Sequence, residues 1–264
     1  FYEIGWMARP AGKPRAALEI TSAAERTERL KTDAKVNLEK AGRAFEQRDI
    51  DAALKYLDLA EAAVPNDPAS DNLRGEILMD QGRFDEAEVV LRRAFTANPK
   101  FREAQYNLAQ IPFKRGEYAK SRDRFEALFA ETPGDDLNQA AQLIKFKIFL
   151  TFLLENKESE ARQLMDQFTF TGDSPALYYA QSAWEFKHGN FDQGSDWIAS
   201  AQKIYSPALN LVFADSLYDI GWLKRPARNA PPIESPLEQA GAPPATEPKP
   251  AMRLGLGALP GTIG

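Results

Sequence analysis

The side chains that could perform chemistry are few. The chain has one histidine, His188, and no cysteine, so thiolate zinc sites, disulfides and cysteine nucleophiles are excluded together. His188 stands before a glycine at the predicted end of a helix, where a cation favours the helix dipole, and we interpret it as structural. Acid pairs such as Asp135 with Asp136 are typical of a solvated helical surface, the alternative being a glycosidase-like or metal-binding pair. The sequence therefore predicts a protein that is not an enzyme, with no metal site and no cofactor.

Charge and hydropathy narrow the class of partner. The net charge of -5 argues against binding to a nucleic-acid backbone, which needs a clustered basic face. The most apolar stretch, residues 143–154, is shorter than the ~20 residues of a membrane span and contains two lysines. The chain begins at Phe1 with no signal-type segment, so we expect the native N-terminus to be missing. A soluble protein is predicted, and its compartment, cytoplasmic or extracytoplasmic, stays undecided.

Several positions recur every 34 residues, which is the strongest pattern in the sequence. A period of this length indicates a helical repeat, in which each unit buries its apolar face against the next. Gly82 and Gly116 would end the first helix of two units, where positive φ is needed. The columns in register are Pro65, Pro99 and Pro133; Ala53, Ala87 and Ser121; Leu57, Leu91 and Phe125; Ala60, Ala94 and Leu128; Gly82 and Gly116; and Phe84 and Tyr118.

This pattern resembles the tetratricopeptide repeat family, most clearly in the unit that contains Gly75, Gly82, Ala87, Leu91 and Pro99. The resemblance implies an all-α fold, a right-handed α-solenoid of antiparallel helix pairs, each an A helix followed by a B helix. Three units are clear and about two are degenerate. The family's tryptophan near the start of helix A is absent, and Arg48 replaces the turn glycine of the first unit.

Composition sets the predicted domain boundaries. Residues 1–15 are an N-terminal segment and linker, with the end of a preceding module as one interpretation, and residues 16–223 are the solenoid. The register slips after Pro133, which predicts a longer A helix over 137–154 and a B helix over 158–168. Residues 207–223 would form an unpaired helix that caps the last repeat. Nine of the 18 prolines lie after Lys224, so residues 224–264 are predicted to be a disordered tail.

In the family, one face of the A helices lines a concave groove that holds a peptide or a helix. Here that face carries aromatic, apolar and amide side chains, which suit anchors plus main-chain hydrogen bonds; the alternative is that the aromatics are core residues. A chaperone-type carboxylate clamp, which uses Lys, Asn and Arg, is disfavoured, because only Asn107 is polar and uncharged among the residues at the five corresponding positions, Leu38, Gly42, Leu73, Glu103 and Asn107. Two flanking sets share the face: Lys35, Leu38, Gly42 and Phe45, and Tyr179, Ala183 and Phe186. The predicted partner-binding residues are Asn72, Glu76, Met79, Glu103, Tyr106, Gln110 and Phe113.

Pro112 lies inside the third A helix and removes a helix hydrogen bond, which costs about 3 kcal/mol or more. It would either widen the groove or be a tolerated kink.

A ten-residue segment at the start of the chain recurs near residue 220, which indicates a second, longer repeat. The first ten residues, FYEIGWMARP, agree with residues 217–226, LYDIGWLKRP, at six positions. Duplication of a module of about 216 residues is one explanation, and independent similarity of two helix ends is the other.

From the repeat pattern and the groove face, we predict a protein–protein interaction scaffold that binds a peptide or helix of unknown identity. The alternative is a structural module of a larger tandem-repeat surface or envelope protein without a groove ligand.

Overall fold

The computed structural model describes residues 23–132 and 138–225. Over these residues the chain forms eleven α-helices and no β-strand, as the repeat pattern predicted. They are α1 (Ala23–Glu46), α2 (Ile50–Ala63), α3 (Pro68–Asp80), α4 (Phe84–Ala97), α5 (Arg102–Lys114), α6 (Tyr118–Ala130), α7 (Gln139–Leu154), α8 (Glu158–Met165), α9 (Ala176–Lys187), α10 (Phe191–Ile204) and α11 (Pro207–Asp219).

The helices pair in chain order to form an α-solenoid. Each odd-numbered helix up to α9 is an A helix that packs against the B helix after it, and each B helix also contacts the A helix of the next unit. Several A helices contact one another directly, as α3 does with α5. The predicted A helix over 137–154 is α7, and the predicted B helix over 158–168 is the shorter α8.

A residue with positive φ follows every A helix. Gly82 and Gly116 have φ of 74° and 77°, as expected, and Arg48 takes the same conformation at 61° without a glycine. Gly221, with φ of 76°, follows α11 in the same way. The helix α11, predicted as an unpaired cap, thus ends as an A helix does, and it occupies the place of a sixth A helix.

The repeat columns form the interior between the helices. Leu57, Leu91 and Phe125 have no exposed surface, and the small residues one turn before and after them in α2 and α4 are equally buried. Small side chains let neighbouring helices approach, and the larger ones fill the space that remains. The predicted core positions of the B helices are confirmed.

The helix α7 is buried on every side. Eleven of its sixteen residues are buried, including Lys147, whereas a helix at the surface of a solenoid keeps a polar face. The inner side of α7 is covered by α11: the ring of Phe213 lies 5.5 Å from that of Phe146 and 5.7 Å from that of Tyr179. In this half of the solenoid the inner face is therefore core.

Pro112 is accommodated by an arginine from the next helix. A residue at position 112 would normally donate its N–H to the carbonyl of Leu108, four residues earlier, and proline has no N–H. The Nη1 atom of Arg124, on α6, donates to that carbonyl at 2.6 Å, and its Nη2 contacts Glu88 at 3.2 Å. Helix α5 thus runs through Pro112 to Lys114 because Arg124 supplies the missing donor.

We expect Gly75→Ala to destabilise the protein by roughly 1–3 kcal/mol, because overpacked cores must strain to fit an added methyl group. A Cβ at this position would lie 2.5 Å from Cγ of the buried Leu91. The matched control is Gly42→Ala, since a Cβ there meets no atom within 4 Å, and it should stabilise α1 by ~0.5–1 kcal/mol. Urea unfolding would measure both, and equal shifts for the two variants would contradict this account of the packing.

We expect Arg124→Met to destabilise the protein by about 1–3 kcal/mol, because it leaves the Leu108 carbonyl without a donor. In a Pro112→Ala background the restored N–H should take over that carbonyl, so the same substitution should cost clearly less. A double-mutant cycle of unfolding free energies measures the difference. Strict additivity of the two substitutions would show that Arg124 does not compensate for the proline.

Candidate functional site

The seven predicted partner-binding residues lie on two adjacent helices. Asn72, Glu76 and Met79 are on α3, and the other four are on α5. These two A helices contact each other directly, so the sequence correctly placed the residues on neighbouring elements. Their side chains, however, fall into three different environments.

Side chains of α3 and α5 form a polar cluster, which we define as Asn72, Glu76, Glu103 and Asn107. The amide nitrogens of Asn72 and Asn107 donate to Oε1 of Glu76 at 2.8 Å and 2.9 Å, and Asn107 also donates to Oδ1 of Asn72 at 3.0 Å. Glu103 is exposed beside them. The cluster joins the second and third repeats through two amides and a carboxylate.

Glu76 is a partly buried acid held by neutral donors. Burial raises the pKa of its carboxyl group, the hydrogen bonds from Asn107 and Asn72 lower it, and the charge of Glu103 raises it. Within the described ranges no lysine or arginine lies within ion-pair distance of Glu76 or Glu103. By contrast, the buried Asp71 on the same helix receives two hydrogen bonds from the Arg93 guanidinium. The polar cluster is thus a place where a cation would be stabilised.

Asn72 was predicted to contact a partner, which requires an accessible side chain, but it is buried. Its side chain is only 7% exposed, because Glu76 and Asn107 cover its amide. Met79 and Phe113 are also buried and pack between helices. These three residues shape the site from beneath, whereas Glu103 is exposed and Glu76 is half-buried.

At the other end of α5 the groove is closed by a buried lysine. Lys147 of α7 donates to Oε1 of Gln110 at 2.8 Å, and its amine lies 4.9 Å from the ring centroid of Phe113 and 5.9 Å from that of Tyr106. Tyr106 is half-buried and packs on Phe125, with ring centroids 5.5 Å apart. Tyr106, Gln110 and Phe113 therefore surround an internal cation.

The C-terminal end of α11 completes this closure. Oδ2 of Asp219 accepts from Lys114 of α5 at 2.6 Å, while Oδ1 accepts from Arg225 at 2.9 Å. Arg225 also contacts Asp215 at 2.8 Å. The inner positions of α9 are covered as well, since Tyr179, Ala183 and Phe186 are all buried. Their assignment to an open groove is corrected: they belong to the core beneath α11.

The sequence reasoning missed Lys147 and Asp219. A lysine within an apolar helix was the available signal for Lys147, because such a residue must find internal partners when the helix is buried on all sides. No local signal marks Asp219, whose partner Lys114 is 105 residues away.

His188 lies in the turn after α9, as expected. Its Nδ1 atom is 2.7 Å from the carbonyl oxygen of Trp184, and its ring lies 4.5 Å from the indole. Its Nε2 atom is 3.5 Å from Oε1 of Glu158. In the part of the chain that the structure describes, no group of three potential metal ligands occurs. Likewise, none of the described helices is long and apolar enough to span a membrane.

We expect the stability of the protein to rise between pH 8 and 10.5 because of Lys147. Burial lowers the pKa of its amine from 10.5 to about 8, against the attraction of Asp219. Across this window the unfolded chain binds the proton that the folded chain has lost, so increasing pH favours folding. The full gain approaches roughly 3 kcal/mol.

Chemical denaturation of wild type and Lys147→Met at several pH values would measure this gain. The variant should lack the rise, whereas the exposed-lysine control Lys55→Met should keep it. A rise of equal size in all three proteins would contradict the assignment to Lys147.

Comparison with known proteins agrees with this architecture. The Tetratricopeptide repeat family model matches residues 78–144. The structure of PilF from Pseudomonas aeruginosa is similar with a TM-score of 0.52 and 11% identity, covering 72% of this chain and 85% of that one. The thermophilic tetratricopeptide repeat protein TTC0263 from Thermus thermophilus is similar with a TM-score of 0.54 and 15% identity, covering 70% of this chain and 98% of that one.

At these identities the two structures show a shared fold alone. Among curated proteins, no sequence matches this chain. The family match lies in the units where the 34-residue period is clearest, and the helix pairs, turn residues and buried columns agree with it. Residues 78–144 therefore belong to the tetratricopeptide repeat family, and the described helices form a tetratricopeptide-type α-solenoid.

Proposed function

We propose that this protein is an interaction scaffold that binds a polypeptide along the inner face of α1, α3 and α5, with the polar cluster recognising a basic side chain. Tetratricopeptide repeats generally mediate protein–protein interactions. The observation that carries the proposal is Glu76, a partly buried carboxylate held by two amides and lacking a cation among the described residues.

The location of the proposed binding site follows from which part of the inner face, formed by the A helices, is accessible. Around α7 and α9 that face is filled by α11, so a ligand cannot lie there without displacing Phe213 and Leu217 from the core. Around α3 and α5 the described residues leave Glu103 exposed and Glu76 half-buried. On α1, Lys35 is exposed and Leu38, Gly42 and Phe45 are half-buried. Binding would thus be confined to the first three repeats.

The chemistry of the polar cluster favours a lysine or arginine of the partner. A charged group that replaces water around a half-buried carboxylate gains an interaction in a low-dielectric environment, which makes the pair stronger than one at the surface. The amides of Asn72 and Asn107 fix the carboxylate in position beforehand, so little side-chain entropy is lost on binding.

A second candidate function, a structural module of a tandem array, is favoured by the repeated decapeptide. In residues 217–226 its members have defined roles: Arg225 lies 5.1 Å from the Tyr218 ring, Asp219 binds Lys114, and Gly221 makes the turn. The matching residues 1–10 lie outside the described ranges. A longer reading frame with further 34-residue units before Phe1 would favour this candidate.

Selection of a random 12-residue peptide library on the immobilised protein would test the scaffold proposal. We expect enrichment of peptides that contain lysine or arginine. A selected peptide should bind the Glu76→Gln, Glu103→Gln variant at least about tenfold more weakly, equivalent to 1.4 kcal/mol.

The matched control is Glu126→Gln, which removes a charge from an exposed position on α6, and it should bind as wild type does. Circular dichroism and melting curves would show that the variants are folded. Selected peptides without basic residues, or equal affinity for both variants, would refute the assignment to the polar cluster.

A further inference from the structure

Far along the chain from the polar cluster, four aromatic side chains form an aromatic cluster, which we define as Phe170, Tyr178, Trp197 and Tyr205. Tyr178 of α9 is at its centre. The other three rings meet Tyr178 edge-on, with centroid distances of 6.4 Å to Phe170, 5.9 Å to Trp197 and 6.0 Å to Tyr205. Such edge contacts are favourable and hold the rings in a defined arrangement.

The cluster has a buried side and an open side. Tyr205 is buried and donates its hydroxyl to the carbonyl of Thr171 at 2.5 Å, which ties the segment carrying Phe170 to the end of α10. Phe170 itself is 60% exposed, and Tyr178 and Trp197 are half-buried. Three rings in contact with one another thus keep exposed surface in a fixed arrangement, which a ligand can cover.

Two hydrogen-bond donors are free on the open side. In the ranges that the structure describes, the Tyr178 hydroxyl and the Trp197 indole N–H have no hydrogen-bond partner, and neither is an enclosed atom. A surface of flat rings with such donors matches a polyproline II segment: proline rings pack on the aromatics, and main-chain carbonyls accept from the donors. The extended conformation is preset by proline, so little entropy is lost on docking.

We propose that the aromatic cluster binds a proline-rich segment, and that residues 229–250 of a second copy of this chain are such a ligand. These 22 residues include seven prolines. The described chain ends at Arg225, and 25 residues lead from there to Pro250, the last residue of this segment; a chain of that length would span about 80 Å if it were fully extended as polyproline II. That length is sufficient to reach a neighbouring molecule, and every molecule carries both the surface and the ligand.

A synthetic peptide of residues 229–250, titrated onto the full chain by calorimetry, tests the surface. It should bind, and a peptide with its seven prolines replaced by alanine should not. Phe170→Ser should weaken binding at least about tenfold, while the matched control Phe191→Ser, at a phenylalanine that is 59% exposed outside the cluster, should not. Trp197→Phe keeps a ring but removes the N–H donor, so it should weaken binding several-fold.

Sedimentation of the full chain over a range of concentrations tests the source of the ligand. We expect the average mass to rise with concentration in wild type and in Phe191→Ser, but not in Phe170→Ser, and excess peptide to reverse the rise. Equal binding of the alanine peptide, or no effect of Phe170→Ser, would show that the aromatic cluster is not a binding surface for proline-rich segments. Peptide binding by a chain that stays monomeric at all concentrations would overturn the second copy as its partner.

Discussion

The burial of α7 by α11 is the interaction that decides what the rest of the solenoid can do. An A helix in an open superhelix exposes its inner side, but α7 presents Phe146 and Lys147 there, and both are almost completely buried. Phe213 covers the first, and the acidic end of α11 lies near the second. Once this contact is made, the inner face of the second half is core, and among the described residues the accessible part of that face lies on the first three repeats.

The same contact explains how a lysine side chain can be buried in the interior. A lysine amine removed from water destabilises the fold unless it is compensated, and Lys147 is compensated by one amide oxygen, two aromatic rings and the field of Asp219. The compensation is incomplete, which is why the pKa of the amine falls. The rings of Tyr106 and Phe113, which would be ligand anchors in an open groove, serve this internal cation instead.

Two acidic residues on α3, Asp71 and Glu76, differ in whether the chain itself supplies a positively charged partner. Asp71 is neutralised by Arg93 from α4, so it holds two helices of one unit together. Glu76 lies on the side toward α5 and receives amides, which orient it without neutralising it. The first arrangement is complete within the chain. The second leaves a charge for which a partner would provide the counterion, and this difference is the basis for placing the candidate site at Glu76.

The sequence by itself determined the repeat. The 34-residue columns specify helix pairs, turns at Gly82 and Gly116, and a B-helix interior around Leu57, Leu91 and Phe125, because these depend on spacing along a helix and on contacts between neighbours in the chain. It also placed the candidate residues on two A helices that contact each other. Which of them are accessible was decided by tertiary structure, since helical spacing identifies a face but not what covers it. Asn72 is covered by Asn107, 35 residues away, and the end of α5 by Asp219, 105 residues from Lys114. Contacts over such separations depend on the angle at which successive repeats stack, and no local pattern in the sequence specifies that angle.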